Sequence, residues 1–534
     1  MDLTQPIYIT TPLYYVNDEL HLGHSTTTIY ADTLARFWRA LGRPVLFLTG
    51  SDEHGQKIFD TAKAAGTDPK TFADRIVVKF FELWEALDIS YDVFIRTTDK
   101  FHEDAVQVFF KRLKDKGLVF KDMYRALYCV GCETNYTAKD LVDGKCPVHK
   151  TVPQKIEEEN YFFKLSAFAQ PLLDHIAAHP DCIVPEGRRN EIVGKLKEGL
   201  IDASVSRTKF DWGVRMPGDE AHVLWVWFDA LLNYVTALGW PDSGNLPTGA
   251  IAGRARHAAP AAKGKPFVYW WPQAVHLVGK DILWHHSVVW WSMLMGADIA
   301  PPRQVLAHGW WQVEGDKMGK SLGNVIKPLE VANKYSRDAL RYFILREGPL
   351  RGDADWRQLN FVNRYNADLA NGLGNLVNRS LNMLLKYFGG AAPAEMPFAD
   401  GKLETARGEL KSLVAGLREE LIARMNAFEM DNALEAIWKL VRRANLFVDE
   451  TKPFSLAKDP ARKQDLAAAM HALTEVSRVL GAAVTPFLPD TAVKIAEQLA
   501  CKPGSLADEL AWGKLPAGHK IGTPAALFAR IETT

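Results

Sequence analysis

The chain has 534 residues, with 64 Lys plus Arg against 64 Asp plus Glu, and is 47% hydrophobic and 24% charged. Such a length holds about two to four domains, and such a composition is that of a soluble globular protein. The balanced charge excludes a globally basic nucleic-acid coat, although local basic patches remain open. The opening residues MDLTQPIYIT carry an acid and no basic-then-apolar run, so no signal peptide is expected. No uncharged apolar run of about 18 residues predicts a membrane span. Five cysteines make no disulfide framework, which predicts a reduced, cytoplasmic setting.

In chain order, PIYIT (6–10) and RPVLFLTG (43–50) read as buried parallel strands. Between them Tyr30, Leu34, Phe37, Trp38 and Leu41 recur at helical spacing, so the segment reads as a βαβ unit with a right-handed crossover. Ligands bind such folds at the carboxyl ends of strands, which points to the loops 10–24 and 49–55. No GxGxxG follows the first strand, so a dinucleotide fingerprint is missing. Near 117 the texture changes to a cysteine-bearing insert. Apolar runs resume near 221 with HVLWVWFDALLNYV and AVHLVGKDILWHHSVVWWSMLM, read as the second half of the same α/β domain. The Gly-, Ala- and Pro-rich stretch 241–266, with Arg254, Arg256, Lys263 and Lys265, reads as a loose surface loop. From about 366 onward the chain reads as helical. Leu434, Ile437, Trp438, Val441 and Val448 form one stripe there, and Asn432 with Glu435 resembles a capping box.

Three patterns carry chemistry. In HLGH, His21 and His24 flank Gly23 at the mouth of the first helix. Free backbone N–H groups and the positive helix end welcome an anion there, and the missing Cβ of Gly23 lets a flat base approach. On the tetrad alone, a surface pair or half of a metal site stays open. In EGDKMGKSLGN (314–324), Lys317 and Lys320 sit among Gly315, Gly319 and Gly323. A mobile loop with two ammonium groups suits charge that appears transiently on phosphate, although a solvated lysine pair explains the loop equally simply. Cys129 and Cys132 form a CxxC and Cys146 with His149 a CxxH, a spacing that can close a tetrahedral structural zinc site with all four positions filled by protein. Cys182 and Cys501 read as core.

Taken together, HLGH and KMGKS resemble the two signatures of class I aminoacyl-tRNA synthetases. TTPLYYVNDELHLGH, TGSDEHGQKI, VWFDALLNY, HLVGKDILWHH and NADLANGLGNLVNR, in this order, resemble the methionyl-tRNA synthetase family over nearly the whole chain. The resemblance implies an α/β Rossmann-like class I catalytic domain with a zinc-bearing connective insert, followed by an α-helical anticodon-binding domain. Its boundaries would be 1–116 for the first catalytic half, 117–220 for the insert with its zinc knuckle, 221–308 for the second half, 309–365 for the linking domain with the lysine loop, and 366–534 for the helical domain. It implies ATP-dependent ligation of L-methionine to tRNA(Met) through methionyl-adenylate, releasing AMP and pyrophosphate, in a cytoplasmic monomer that uses one structural Zn²⁺ and Mg²⁺ with ATP.

By the same resemblance His21, Gly23, His24, Lys317 and Lys320 bind ATP, the two histidines and two lysines being catalytic. Leu13, Tyr15, Asp52, Trp227, Ala230, Tyr234, Ile282 and His286 bind methionine, with Asp52 on its ammonium. A thioether suits an aromatic-lined pocket, although Trp227 and Tyr234, seven apart, could be plain core residues on one helix face. Cys129, Cys132, Cys146 and His149 would hold the zinc. Asn375, Arg379 and Phe454 would read the anticodon. Two positions depart from the family pattern: Gly319 stands where Ser is usual, and Phe454 follows Pro453 where a stacking tryptophan is usual. Other members of the class, a small HxGH nucleotidyltransferase, and a non-catalytic tRNA-binding relative are the alternatives. The isoleucine, leucine and valine enzymes need an editing insert for which the chain has little room.

Overall fold

A computed structural model describes residues 2–17, 19–132, 134–136, 140–241, 265–319, 322–502 and 506–532. The chain divides into two compact units, one built from Asp2–Ala31 and Pro44–Gly309, the other from Asp32–Arg43 and the chain from Trp310 onward.

The first unit is organised by a seven-stranded sheet. Its strands are β1 (Ile7–Thr10), β2 (Tyr14–Tyr15), β3 (Val45–Asp52), β4 (Val93–Arg96), β5 (Ile183–Val184), β6 (Ala274–Gly279) and β7 (Gln304–His308). β3 lies beside β1, β1 beside β6, β6 beside β7 and β7 beside β5, all in parallel, while β4 flanks β3 and β2 continues along its end. Every residue of β1 and β3 is buried, as expected for strands covered on both faces. The two predicted strands are therefore present and paired in register, Ile7 against Val45 and Thr10 against Leu48. Between them in the chain runs helix α1 (Leu22–Ala40), whose residues from Asp32 onward belong to the second unit; Tyr30, Leu34, Phe37 and Trp38 are all buried.

Two glycines of this unit have no room for a side chain. A Cβ on Gly50 would sit 2.1 Å from the Ile95 carbonyl and 2.8 Å from Leu13, so the last residues of β3 need glycine to approach β4. In the insert, Val119–Cys129 and Gln154–Phe163 form a long antiparallel pair, with Thr134–Tyr136 and Ala203–Ser204 on the outer edges. Gly131 there lies under the His149 ring, whose atoms would be 2.7–2.9 Å from a Cβ.

The second unit carries a small sheet of Trp311–Val313, Asp316–Lys317 and Ala354–Trp356, then helices almost throughout from Gln358. The predicted stripe on Met430–Thr451 is buried as expected. The capping box is not formed. The helix begins at Met430, two residues before Asn432, so Asn432 is no cap; its side chain donates to Glu429 at 3.0 Å, while Glu435 pairs with Arg346 and Arg442. Cys182 is fully buried, whereas Cys501 is only partly so, with its sulfur 3.7 Å from His519 Nε2. Among the described residues no helix is long and apolar enough to cross a membrane.

Candidate functional site

The parallel strands of the first unit end together. Thr10, Asp52, Gly279 and His308 close β1, β3, β6 and β7, the edge where such sheets bind ligands.

At this edge the two motif histidines cap α1 reciprocally. His21 precedes the first helical residue, and its Nδ1 accepts from the Gly23 N–H at 3.1 Å. His24, on the first turn, turns back so that its Nδ1 accepts from the His21 N–H at 3.1 Å. The pattern is a capping box built from two imidazoles instead of a hydroxyl and a carboxylate. The rings stack at 3.9 Å and 27°. Because both Nδ1 atoms accept, each ring carries its proton on Nε2. Tyr14 steadies the turn: its hydroxyl lies 2.7 Å from Thr28 Oγ1 and 3.2 Å from the His24 carbonyl. One turn further on, Thr27 Oγ1 donates to His308 Nε2 at 2.6 Å, while His308 Nδ1 donates to the Gly309 carbonyl at 2.7 Å. Burial lowers the pKa of His308 and keeps it neutral in that role.

Beside this edge lies an apolar and aromatic wall. Asp52, 5% exposed, ends β3 in register with Tyr15 of β2. Leu13, Tyr15, Trp227 and Ile282 are partly buried and pack against the core of this unit, and Ala230, Tyr234 and His286 are fully buried. Trp227 and Tyr234 do not share one helix face. Trp227 and Ala230 lie on Val226–Leu231, and Tyr234 on a separate turn, Asn233–Thr236.

Three histidines pack into this wall. His286 Nδ1 donates to the Ile282 carbonyl at 2.9 Å, so its Nε2 accepts the Tyr234 hydroxyl at 2.8 Å. His276 on β6 stacks on Tyr234 at 4.1 Å; its Nε2 accepts from Trp290 Nε1 at 3.3 Å and its Nδ1 donates to Thr10 Oγ1 at 2.7 Å. His285 stacks on Trp227 at 3.9 Å and 11°. Burial drives all three down: His286 to about 4, His285 to about 3 with the His286 charge adding to it, and His276 well below the usual range. The wall is thus neutral and aromatic, which suits an apolar, polarizable side chain.

In the insert, Cys129, Cys132, Cys146 and His149 bring their ligand atoms within 4.8 Å of one another and could hold a metal ion. Cys132 Sγ lies 3.5 Å from Cys146 Sγ and 3.1 Å from His149 Nδ1. A tetrahedron with metal–sulfur bonds of about 2.3 Å sets sulfurs about 3.7 Å apart, so the set is close to closed. Burial opposes ionisation of Cys146, but the His149 N–H, the Tyr136 hydroxyl and the Val148 N–H outweigh it and bring the thiol down to about 6, whereas burial pushes the Cys132 thiol up to about 12. The bare Cα of Gly131 leaves the space that the His149 ring fills.

In the second unit, Lys317 is exposed on Asp316–Lys317 with Nζ 5.1 Å from the Trp310 ring. Asn324 braces the loop: its Oδ1 accepts from Gly319 N at 2.8 Å and its Nδ2 donates to the Lys317 carbonyl at 3.2 Å. Lys320 lies outside the described residues, as do 242–264 of the basic loop. Asn375 is exposed and Arg379 partly so, one turn apart on Asn375–Phe388, and Phe454 is 48% exposed on Pro453–Leu456.

The chain matches the family described as tRNA synthetases class I (M) over 7–152 and 131–381, and the anticodon binding domain of methionyl tRNA ligase over 399–534. It is 42% identical over 531 residues to the methionine–tRNA ligase of Caldanaerobacter subterraneus subsp. tengcongensis, covering 99% of this chain and 80% of that one. It is also 42% identical to that of a Synechocystis species, covering 100% and 99%. The Mycobacterium tuberculosis methionyl-tRNA synthetase in complex with methionyl-adenylate superposes with a TM-score of 0.90 at 38% identity, covering 99% of this chain and 100% of that one. The chain belongs to the class I tRNA synthetases, in their methionine family.

Proposed function

We propose that the chain activates L-methionine with ATP and ligates it to tRNA(Met). A methionine carboxylate oxygen attacks the α-phosphorus; the bond to the bridging oxygen breaks, and pyrophosphate leaves. A hydroxyl of the terminal tRNA adenosine then attacks the adenylate carbonyl, and AMP leaves. Each step builds charge on phosphate or carbonyl oxygen, so positioned donors carry the catalysis. The two Nε2 donors of His21 and His24 meet the phosphates, with Gly23 admitting the nucleotide against the backbone. Lys317 and Lys320 neutralise charge on the pyrophosphate as it forms, and Mg²⁺ accompanies ATP.

Asp52 takes the substrate ammonium as a charge-assisted bond. Leu13, Tyr15, Trp227, Ala230, Tyr234, Ile282 and His286 enclose the thioether. Asn375, Arg379 and the Phe454 ring meet the anticodon. The cysteine cluster binds zinc, which supplies a cross-link that orders the insert; Cys129, Cys132, Cys146 and His149 would hold it.

The observation that carries this reading is the reciprocal capping of His21 and His24. It uses both Nδ1 atoms as acceptors on the helix, which fixes the two rings at the mouth of α1, where the positive helix end favours an anion. Pyrophosphate exchange run with each of the twenty amino acids tests it. Exchange dependent on methionine alone is expected; exchange that ignores methionine, or follows another amino acid, refutes the assignment.

A further inference from the structure

Behind Asp52 lies a buried ionic cluster that the reaction scheme does not use. The Asp229 carboxylate, 1% exposed, sits between two imidazoles: its Oδ2 is 2.6 Å from His54 Nδ1 and its Oδ1 is 2.8 Å from His102 Nε2. His54 and His102 are themselves 2% and 0% exposed. His102 Nδ1 meets Thr236 Oγ1 at 2.8 Å, and His54 Nε2 faces Glu103 at 3.6 Å. Burial works against a charged His54, but Asp229 and Glu103 outweigh it and hold its pKa above the ordinary value, while the two histidines hold Asp229 below its own. A buried carboxylate is tolerated only when compensated in this way, and removing one partner leaves the other uncompensated.

The placement of the cluster gives it a task. His54 is two residues beyond Asp52, in the loop that follows β3. Asp229 lies on Val226–Leu231 between Trp227 and Ala230. The His54–Asp229 bond therefore ties the loop that follows the ammonium acceptor to the helix bearing two residues of the side-chain pocket. The neighbouring residues are fixed as well. Glu53 accepts from Ser51 at 2.6 Å, from Arg96 at 2.6 and 2.9 Å, and from Thr98 at 2.6 Å. Trp212 Nε1 donates to the Glu53 carbonyl at 2.6 Å, its ring meets His54 edge-on at 5.4 Å, and its own carbonyl accepts from Gly55 at 3.3 Å. Asp52 is thus followed by residues with little freedom of their own, so the backbone that carries its carboxylate is fastened where that loop is fastened.

We infer that Asp229, through His54, is a positioning residue that sets the Asp52 carboxylate against the methionine pocket and so supplies recognition of the α-ammonium. The inference rests on the proposed role of Asp52, and the test separates the two. The probes are L-methionine and 4-(methylsulfanyl)butanoate, which keeps the thioether and carboxylate but lacks the ammonium. Their affinities are measured as Kd by tryptophan fluorescence and as KM or Ki in pyrophosphate exchange, with the KM for ATP alongside.

Asp52→Asn should weaken methionine and leave the desamino acid unchanged; if it weakens both equally or neither, the reading of Asp52 fails. With that control in place, Asp229→Asn should weaken methionine on the order of tenfold or more, the size of one charge-assisted bond, with the desamino acid and the ATP KM within about twofold. Equal loss of both ligands, as from a collapsed pocket, or no loss of methionine, overturns the inference. Should Asp229→Asn fail to fold, His54→Leu and His54→Asn decide. Asn keeps a donor in place of Nδ1, so it should retain methionine affinity where Leu loses it selectively; identical behaviour of the two overturns the inference.

Discussion

Replacing Tyr234 by Phe removes one oxygen from a ring that is 1% exposed. The hydroxyl donates to His286 Nε2 at 2.8 Å, and the other His286 nitrogen is already committed to the Ile282 carbonyl. The variant therefore leaves an imidazole acceptor buried without a donor, at a cost of about 1–3 kcal/mol. Nothing else should change. The phenyl ring still stacks on His276, and the bond from Tyr8 goes to the backbone carbonyl of residue 234, which survives. For a domain of 150–250 residues each kcal/mol lowers Tm by about 2–4 °C, and this unit is larger, so a fall of roughly 2–6 °C is expected. Scanning calorimetry reads the stability and pyrophosphate exchange the methionine KM, which should rise as His286 loses its orientation. A double-mutant cycle with His286→Leu isolates the bond, because Tyr234→Phe should cost little once the acceptor is gone. Unchanged Tm and KM in the single variant, or the same loss in the His286→Leu background, would refute the reasoning.

The neutral histidines predict acid sensitivity. His286 at about 4 and His285 at about 3 lie below an unfolded value near 6.5, so the unfolded chain binds more protons in between. Their stabilisation is complete above about pH 6.5 and is lost as pH falls toward 4, by about 3 kcal/mol for His286 alone. His286→Gln should flatten the fall of Tm between pH 6.5 and 4, and an unaltered slope counts against the buried neutral state. For the cysteine cluster, protein purified without added metal should carry about one zinc per chain by elemental analysis. Cys146→Ala should lose the metal; full stability and no zinc in the parent would show the cluster idle. Phe454→Ala should cut tRNA charging by about 5- to 150-fold, as for one stacked base, with exchange and Tm unchanged and Phe454→Trp active. A fall in Tm with normal charging would place the ring in the core instead.

The first two strands and the helix between them were readable because strong local patterns, a fully apolar run and a 3.6-residue period, coincide with their burial. The His21–His24 motif was recognisable, but not the means by which it works. The two reciprocal bonds depend on where the helix starts, and HxGH spacing is equally compatible with rings that face solvent. The capping box at Asn432 went the other way. Its residue types matched, but Arg346 and Arg442 compete for Glu435, and tertiary partners outrank a local motif. The Asp229 cluster joins residues 54, 102 and 229. His54 and Asp229 fall inside stretches that are recognisable for other reasons, and His102 falls in none. A buried pairing across three segments leaves no periodicity to read, and only the assembled sheet brings it together.

The order of strands in the sheet also sets a timetable. Tyr8 pairs with Ala274 across the middle of the sheet, so the first strand made must wait for roughly 270 residues to be added before its neighbour exists. At a synthesis rate of about 5–20 residues per second, that is about 15–50 s. During this interval β1 and β3 can pair with each other, but the other edge of β1, a strand wholly buried in the finished sheet, has no neighbour, and such an edge captures strands of other chains. Nascent chains stalled before β6 should therefore aggregate or engage chaperones, whereas those released beyond β7 should not. Placing β1 in the middle of the sheet makes a rigid core in the finished protein and a vulnerable half-minute in its making.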